Sequence, residues 1–170
     1  MTGLRKRRLF CVLLTLLTAA YIGFIYGNSL QDGAASSERS GRVVEMLQAL
    51  LSSLGWQGTV SDYFIRKAAH FAEYAGLGLL LGLTLRAYTP HILRHVFVPL
   101  FIGLLVPVSD EFLQLFIEGR AGMVQDVVLD FAGFLAGGGI TIACILLARY
   151  LRKRAADRAE DVPAGEGNGV

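Results

Sequence analysis

Two stretches of this chain carry the residue types that can do chemistry. The first runs from Val106 to Asp130, VPVSDEFLQLFIEGRAGMVQDVVLD, and sets Asp110, Glu111, Gln114, Arg120, Asp126 and Asp130 between two long apolar runs. The second, RKAAHFAEYAGLG, spaces Arg66, His70, Glu73 and Tyr74 so that they fall on one helical face with Leu77 below them, and Lys67 lies beside that stripe. A carboxylate near hydrocarbon costs several kcal/mol unless it is paired, ligated or wetted, so such residues beside membrane spans mark a functional site by default. HxxE on one helix and DExxQ on another supply the donors of a divalent-metal site: imidazole for Zn-like or Fe-like ions, carboxylate oxygen for Mg, Mn or Ca. On that reading His70, Glu73, Asp110, Glu111 and Asp126 are the metal ligands, and Gln114 and Tyr74 orient them. Glu111, His70 and Asp110 are then the candidate catalytic groups of a metal-assisted hydrolysis or transfer, as ligands or general base, with Arg120 on the anion.

Two other readings use the same side chains. Arg120, Arg66 and Lys67 can neutralise the acids and tie the helix ends together as a salt-bridge knot. They can also join Asn28, Ser29 and Gln31 in holding a phosphate or carboxylate head group, where the fork of Arg120 offers bidentate contacts. A lone histidine on an apolar face is more often a packing residue, and glycines within spans are ordinarily packing residues too. No GxSxG, Walker or His-rich metal motif is present.

The elements that must position these groups are membrane spans. Of the 170 residues, 54% are hydrophobic and only 18% charged, and the apolar residues come in long blocks. Leu9 to Gly27 is long enough to cross a hydrocarbon core of about 30 Å. The RKRR before it could head a signal peptide, but the run exceeds the usual h-region and no clear A-x-A site precedes Asn28. Residues 28 to 62 read as a polar loop in which Val43, Leu47, Leu50, Leu51 and Leu54 recur at helical spacing. With Trp56 nearby, they predict a short helix lying on the membrane surface; a soluble helix packed on a partner protein is the alternative. The second span opens at Arg66, and Gly76, Gly78 and Gly82 give it a smooth face. In the third, Pro107 crowds the carbonyl of Gly103 and predicts a bend one turn before Asp110. Gly133 and Gly137 give the fourth span a second small-residue groove.

The sequence thus predicts an all-α protein, a four-helix transmembrane bundle with a short extracytoplasmic interfacial helix. The membrane domain is residues 1–148, with spans at about 9–27, 66–88, 96–117 and 127–148, and 149–170 is expected as a disordered cytoplasmic tail. Four spans put both termini on one side. Eleven of the 16 Lys and Arg fall on that side and five on the other, so the positive-inside rule places the termini in the cytoplasm. Membrane flanks explain the basic clusters better than nucleic acid does, and no nucleic-acid partner is expected. Cys11 and Cys144 fall toward the reducing side, where a disulfide is not expected. His70 and Glu73, Asp110 and Glu111, and Asp126 and Asp130 then lie at similar depth near the outer surface.

These segments resemble the VanZ-like family of bacterial membrane proteins. RKAAHFAEYAGLG is similar to that family's Lys-x-x-His-Phe-x-x-Tyr segment. SDEFLQLFIEGRAGMVQDVVLDFAGFLAG is similar to its Asp-Glu-x-x-Gln-x-Phe, Arg and Asp-x-x-x-Asn-x-x-Gly segment. The matching positions are Lys67, His70, Phe71, Glu73, Tyr74, Asp110, Glu111, Gln114, Phe116, Arg120, Asp126 and Gly133, and NSLQ after the first span looks like the polar stretch found there in relatives. Asp130 departs from the pattern, standing where relatives often carry Asn. The resemblance implies a four-span protein of the bacterial cytoplasmic membrane, in a family named for an accessory protein associated with resistance to the glycopeptide teicoplanin. It implies action on, or binding of, membrane lipids, lipid-linked ligands or cell-wall precursors at the outer leaflet. The alternative is a non-catalytic accessory or scaffold protein whose polar cluster is structural.

Overall fold

The computed structural model describes residues 3–160. Within them all the regular structure is helical: α1 (Gly3–Ser29), α2 (Gly33–Ser53), α3 (Asp62–Tyr88), α4 (Phe97–Gln114) and α5 (Val124–Glu160), with a single 3₁₀ turn at Ile92–His95 ahead of α4. α1, α3, α4 and α5 are long and apolar enough to cross a membrane. They alternate in direction, so the end of α1, the start of α3, the end of α4 and the start of α5 meet at one pole. The basic residues gather at the other pole, where Arg7 donates to the carbonyls of Ala87 and Tyr88 and Arg149 to that of Pro90.

Three boundaries differ from those expected. α2 fills most of the stretch read as a polar loop, because Ala, Glu, Arg and Leu are good helix formers and Glu38 and Arg42 pair one turn apart at 3.8 Å. α4 stops at Gln114, after which Leu115, Phe116 and Ile117 bond three residues back and Gly119 turns the chain at φ +73°. α5 runs on to Glu160, so 149–160, expected in the disordered tail, is helical; its Ala, Arg and Lys content favours that. The remainder of that expected tail lies outside the described residues.

Side-chain burial follows the solvent. The bilayer is as apolar as leucine, so large hydrophobic side chains gain nothing by leaving it, and much of what the helices bury against each other is small or polar. Leu13, Leu16, Phe101 and Leu104 face outward, whereas Thr18, Ser29, Gln114 and Thr141 are buried. A small apolar core of Ile25, Tyr74, Leu77, Leu81, Val106 and Phe134 fills the middle. Pro107 is fully buried and α4 continues through it.

The most extensive packing joins α3 to α5, which run parallel. A Cβ at Gly133 would collide with the carbonyl of Phe71, one at Gly137 with the carbonyl of Ala75, and one at Gly78 with the carbonyl of Phe134. Glycine at these places is what lets the two backbones touch. Gly76 faces α1 instead, against the hydroxyl of Tyr21, which donates to the Glu73 carbonyl at 3.0 Å. Polar pairs between α1 and its neighbours, Thr18 to Thr84 at 2.9 Å and Tyr26 to Ser109 at 2.5 Å, complete the bundle. Replacing Gly137 by Leu should lower stability by more than the ~1–3 kcal/mol of ordinary overpacking, because the obstacle is backbone. Gly139→Ala, whose Cβ would meet nothing within 4 Å, should be close to neutral. Thermal unfolding of both variants in detergent micelles checks the contrast.

Candidate functional site

The polar pole is built in two layers. In the upper one, Lys67 on α3 pairs with Asp126 in the first turn of α5, both side chains largely buried, and the ammonium also sits 5.2 Å from the ring centre of Tyr63. Glu111 on α4 accepts the N–H of Met123 at 2.8 Å, satisfying a backbone donor just ahead of α5. Gly122 packs so closely on the Glu111 carbonyl that a Cβ could not be placed there. Arg120 reaches from the α4–α5 link to the carbonyls of Gln31, at 3.1 Å, and Asn28, at 3.4 Å. A cation is well placed there, since the end of a helix such as α1 concentrates negative partial charge. Burial pushes the guanidinium of Arg120 below its ordinary value, against the raising pull of Asp110 and Glu111.

One turn deeper the arrangement changes. His70 stands eight residues into α3 and Asp130 six residues into α5, roughly 9 to 12 Å below the starts of those helices. Asp110 on α4 meets them. One ligand atom from each of His70, Asp110 and Asp130 lies within 4.8 Å of the others. Asp110 and Asp130 have no solvent exposure. The Oδ2 atom of Asp110 accepts from Ser29 at 2.7 Å and from Gln114 at 3.4 Å. Both carboxylate oxygens of Asp130 lack a hydrogen-bond partner, Oδ1 lying 3.9 Å from His70 Nδ1, too far for a hydrogen bond. The hydroxyl of Tyr74, also buried, faces Asp110 and can donate to it.

Beside this layer is a cavity of about 180 Å³ between α2, α3 and the α1–α2 link, lined by Asn28, Gln31, Arg39, Arg66, His70, Glu73 and Arg120 among others. Its groups are partly engaged. Asn28 donates to Glu73 at 2.7 Å, Arg39 donates to Asn28 at 3.3 Å and to Gln31, and Arg66 pairs with Asp62 at 3.4 Å.

The residues picked from sequence therefore fall into three groups. His70 and Asp110 share the deep layer. Arg120, Arg66, Gln31 and Glu73 line the cavity with His70, while Ser29, Gln114 and Tyr74 surround Asp110. Lys67, Asp126 and Glu111 tie helix ends. Asp130, absent from the ligand set expected on sequence, belongs to the deep layer. Its spacing from Asp126, one helical turn on the same face, was the signal that could have found it. Arg39 carried no such signal, since only the return of α2 over α3 brings it to the cavity.

The Lys67–Asp126 pair gives a direct test of the upper layer. Lys67→Met should cost about 2 kcal/mol by leaving Asp126 buried without its counter-ion, and adding Asp126→Asn should recover most of that. Thermal unfolding around the double-mutant cycle checks it; four equal melting temperatures would mean the pair does not tie α3 to α5.

The family model described as VanZ/LLP1 matches residues 10–147, a range holding both polar layers, the cavity-lining residues and the glycine contacts between α3 and α5. No curated protein and no solved structure matches the chain. With the four apolar helices, the match identifies a multi-pass membrane protein, and the chain belongs to the VanZ/LLP1 family.

Proposed function

We propose that this protein binds the anionic head group of a lipid or lipid-linked cell-envelope precursor at the outer face of the bacterial cytoplasmic membrane, through the cavity at its polar pole. The observation that carries the reading is that three arginines, Arg39, Arg66 and Arg120, line one small cavity against a single acid, Glu73, which Asn28 already engages. Guanidinium forks match phosphate and carboxylate oxygens bidentately. A volume of about 180 Å³ suits a head group, not a whole lipid, and Val43, Ile65 and Ala69 supply an apolar wall where a glycerol or prenyl stem would leave. α2 supports the same placement: Val43, Met46, Leu50 and Leu54 are exposed at helical spacing, as a helix lying in the interface requires. The excess of Lys and Arg toward the opposite pole supports an outward placement of this one. Sequestering or altering a cell-wall precursor there would connect such a protein to teicoplanin resistance.

The Lys67–Asp126 pair, the Glu111–Met123 bond and the Arg120 contacts favour a second reading, in which the polar pole is structural and the protein is a non-catalytic accessory. The two differ in what Arg39 and Arg66 do. At about 1 kcal/mol per basic residue facing an anionic head group, Arg39→Gln with Arg66→Gln should weaken binding of phosphatidylglycerol or a polyprenyl phosphate roughly 30-fold. Phosphatidylcholine should be retained equally by both proteins. Native mass spectrometry of protein exchanged into each lipid measures this, and preference for the polyprenyl phosphate over phosphatidylglycerol separates a wall precursor from a bulk lipid. Equal retention of every lipid by wild type and variant, with only a lowered melting temperature, would leave the accessory reading standing.

A further inference from the structure

We propose that His70, Asp110 and Asp130 form a buried site for one divalent cation, set beside the head-group cavity and sharing His70 with it. The three residues come from three helices, α3, α4 and α5, and bring one donor atom each to within 4.8 Å of one another. Bond lengths of about 2.0 to 2.2 Å put two ligands of one ion roughly 3 to 4 Å apart. The 3.9 Å between His70 Nδ1 and Asp130 Oδ1 is such a spacing, and it is too long for a hydrogen bond.

What points to an occupant is the state of the carboxylates. Asp110 and Asp130 are fully buried, yet neither oxygen of Asp130 has a hydrogen-bond partner. A buried carboxylate left uncompensated costs several kcal/mol. The neighbouring cations are engaged elsewhere, Lys67 with Asp126 and Arg120 with the carbonyls of Gln31 and Asn28. Asp110 has the form of an oriented ligand, with Ser29 and Gln114 both holding its Oδ2. The buried hydroxyl of Tyr74 faces Asp110 and can turn its proton to that carboxylate, as a ligand-orienting group does. One imidazole and two carboxylates suit Zn²⁺ or Mn²⁺ better than Ca²⁺, which takes six to eight oxygens.

This ligand set differs from the one expected on sequence. Glu111, Asp126 and Glu73 are committed to Met123, Lys67 and Asn28, and Asp130 takes the position they would have had.

The inference does not rest on head-group binding, and its test keeps the two apart. Full-length protein in detergent is stripped with chelator, titrated with Mn²⁺ or Zn²⁺ and desalted, and bound ion is measured by elemental analysis. About one ion per chain is expected, with a rise in melting temperature on adding the ion. Asp130→Asn should retain at least about tenfold less, and Ser29→Ala should bind roughly 10 to 100-fold more weakly, as loss of a ligand-orienting group does. Arg39→Gln with Arg66→Gln should hold the ion as wild type does. A nitrogen coupling to bound Mn²⁺ in pulsed electron paramagnetic resonance, absent in His70→Gln, would identify the imidazole ligand. Wild-type protein that retains no ion above the Asp130→Asn level, or whose melting temperature ignores both ions and chelator, overturns the proposal. The wild-type melting shift decides the matter even if a variant fails to fold.

Discussion

The contact on which the polar pole depends is the backbone-to-backbone seam between α3 and α5. Gly133 lies against the carbonyl of Phe71, Gly137 against that of Ala75, and Gly78 against that of Phe134. These contacts fix the parallel register in which residue 67 meets 126 and residue 70 meets 130. A side chain at any of them would force the helices apart, and the layers above would lose their alignment before any polar residue had been changed. In hydrocarbon there is no hydrophobic gain from pressing helices together, so association comes from close packing and from polar contacts. The seam supplies the first and the pole supplies the second.

The parallel seam also has an electrostatic consequence. α3 and α5 both begin at the pole, so two helix N-termini, each with positive partial charge, face the acids there. Asp62 and Asp126 occupy the first turns of these helices. α1 and α4 end at the same pole, and the cation that reaches the carbonyls at the end of α1 is Arg120. Helix ends of both signs are thus matched within one ring of side chains. That ring accounts for Lys67, Glu111, Arg120 and Asp126 without invoking a ligand. It does not account for the layer beneath, where Asp130 has no hydrogen bond at all.

The four spans, their alternation and the common depth of the polar residues were legible in the chain because each rests on local composition and on helix rise. The glycine seam was legible as two smooth faces, though Gly76 had to be reassigned to α1, since spacing along one helix does not say which neighbour each face meets. The division of labour among the acids was not legible. Asp126 and Asp130 are one turn apart on one face, and only the register of α5 against α3 decides which of them receives Lys67 and which is left facing His70. Arg39 was hidden for a related reason: α2 was read as shorter than it is, and its return over α3 is a tertiary event. The extension of α5 past Arg149 is the converse case: the segment is charged, as disordered tails are, but its Ala, Arg and Lys residues favour helix.

Depth separates the two kinds of polar group more sharply than residue type does. The ring sits in the first turns, where long side chains such as Lys67 and Arg120 reach backbone carbonyls or counter-ions. Asp110 and Asp130 are short, and one turn further in they cannot extend to the rim. An aspartate that cannot reach outward must be compensated where it stands, and among the described residues the groups around it supply no hydrogen bond to Asp130. His70 is the one neighbour that belongs to both levels, its ring nitrogen near Asp130 and its side chain in the wall of the arginine-lined cavity. The wall between the arginine-lined cavity and the aspartate layer is therefore, at this point, a single imidazole.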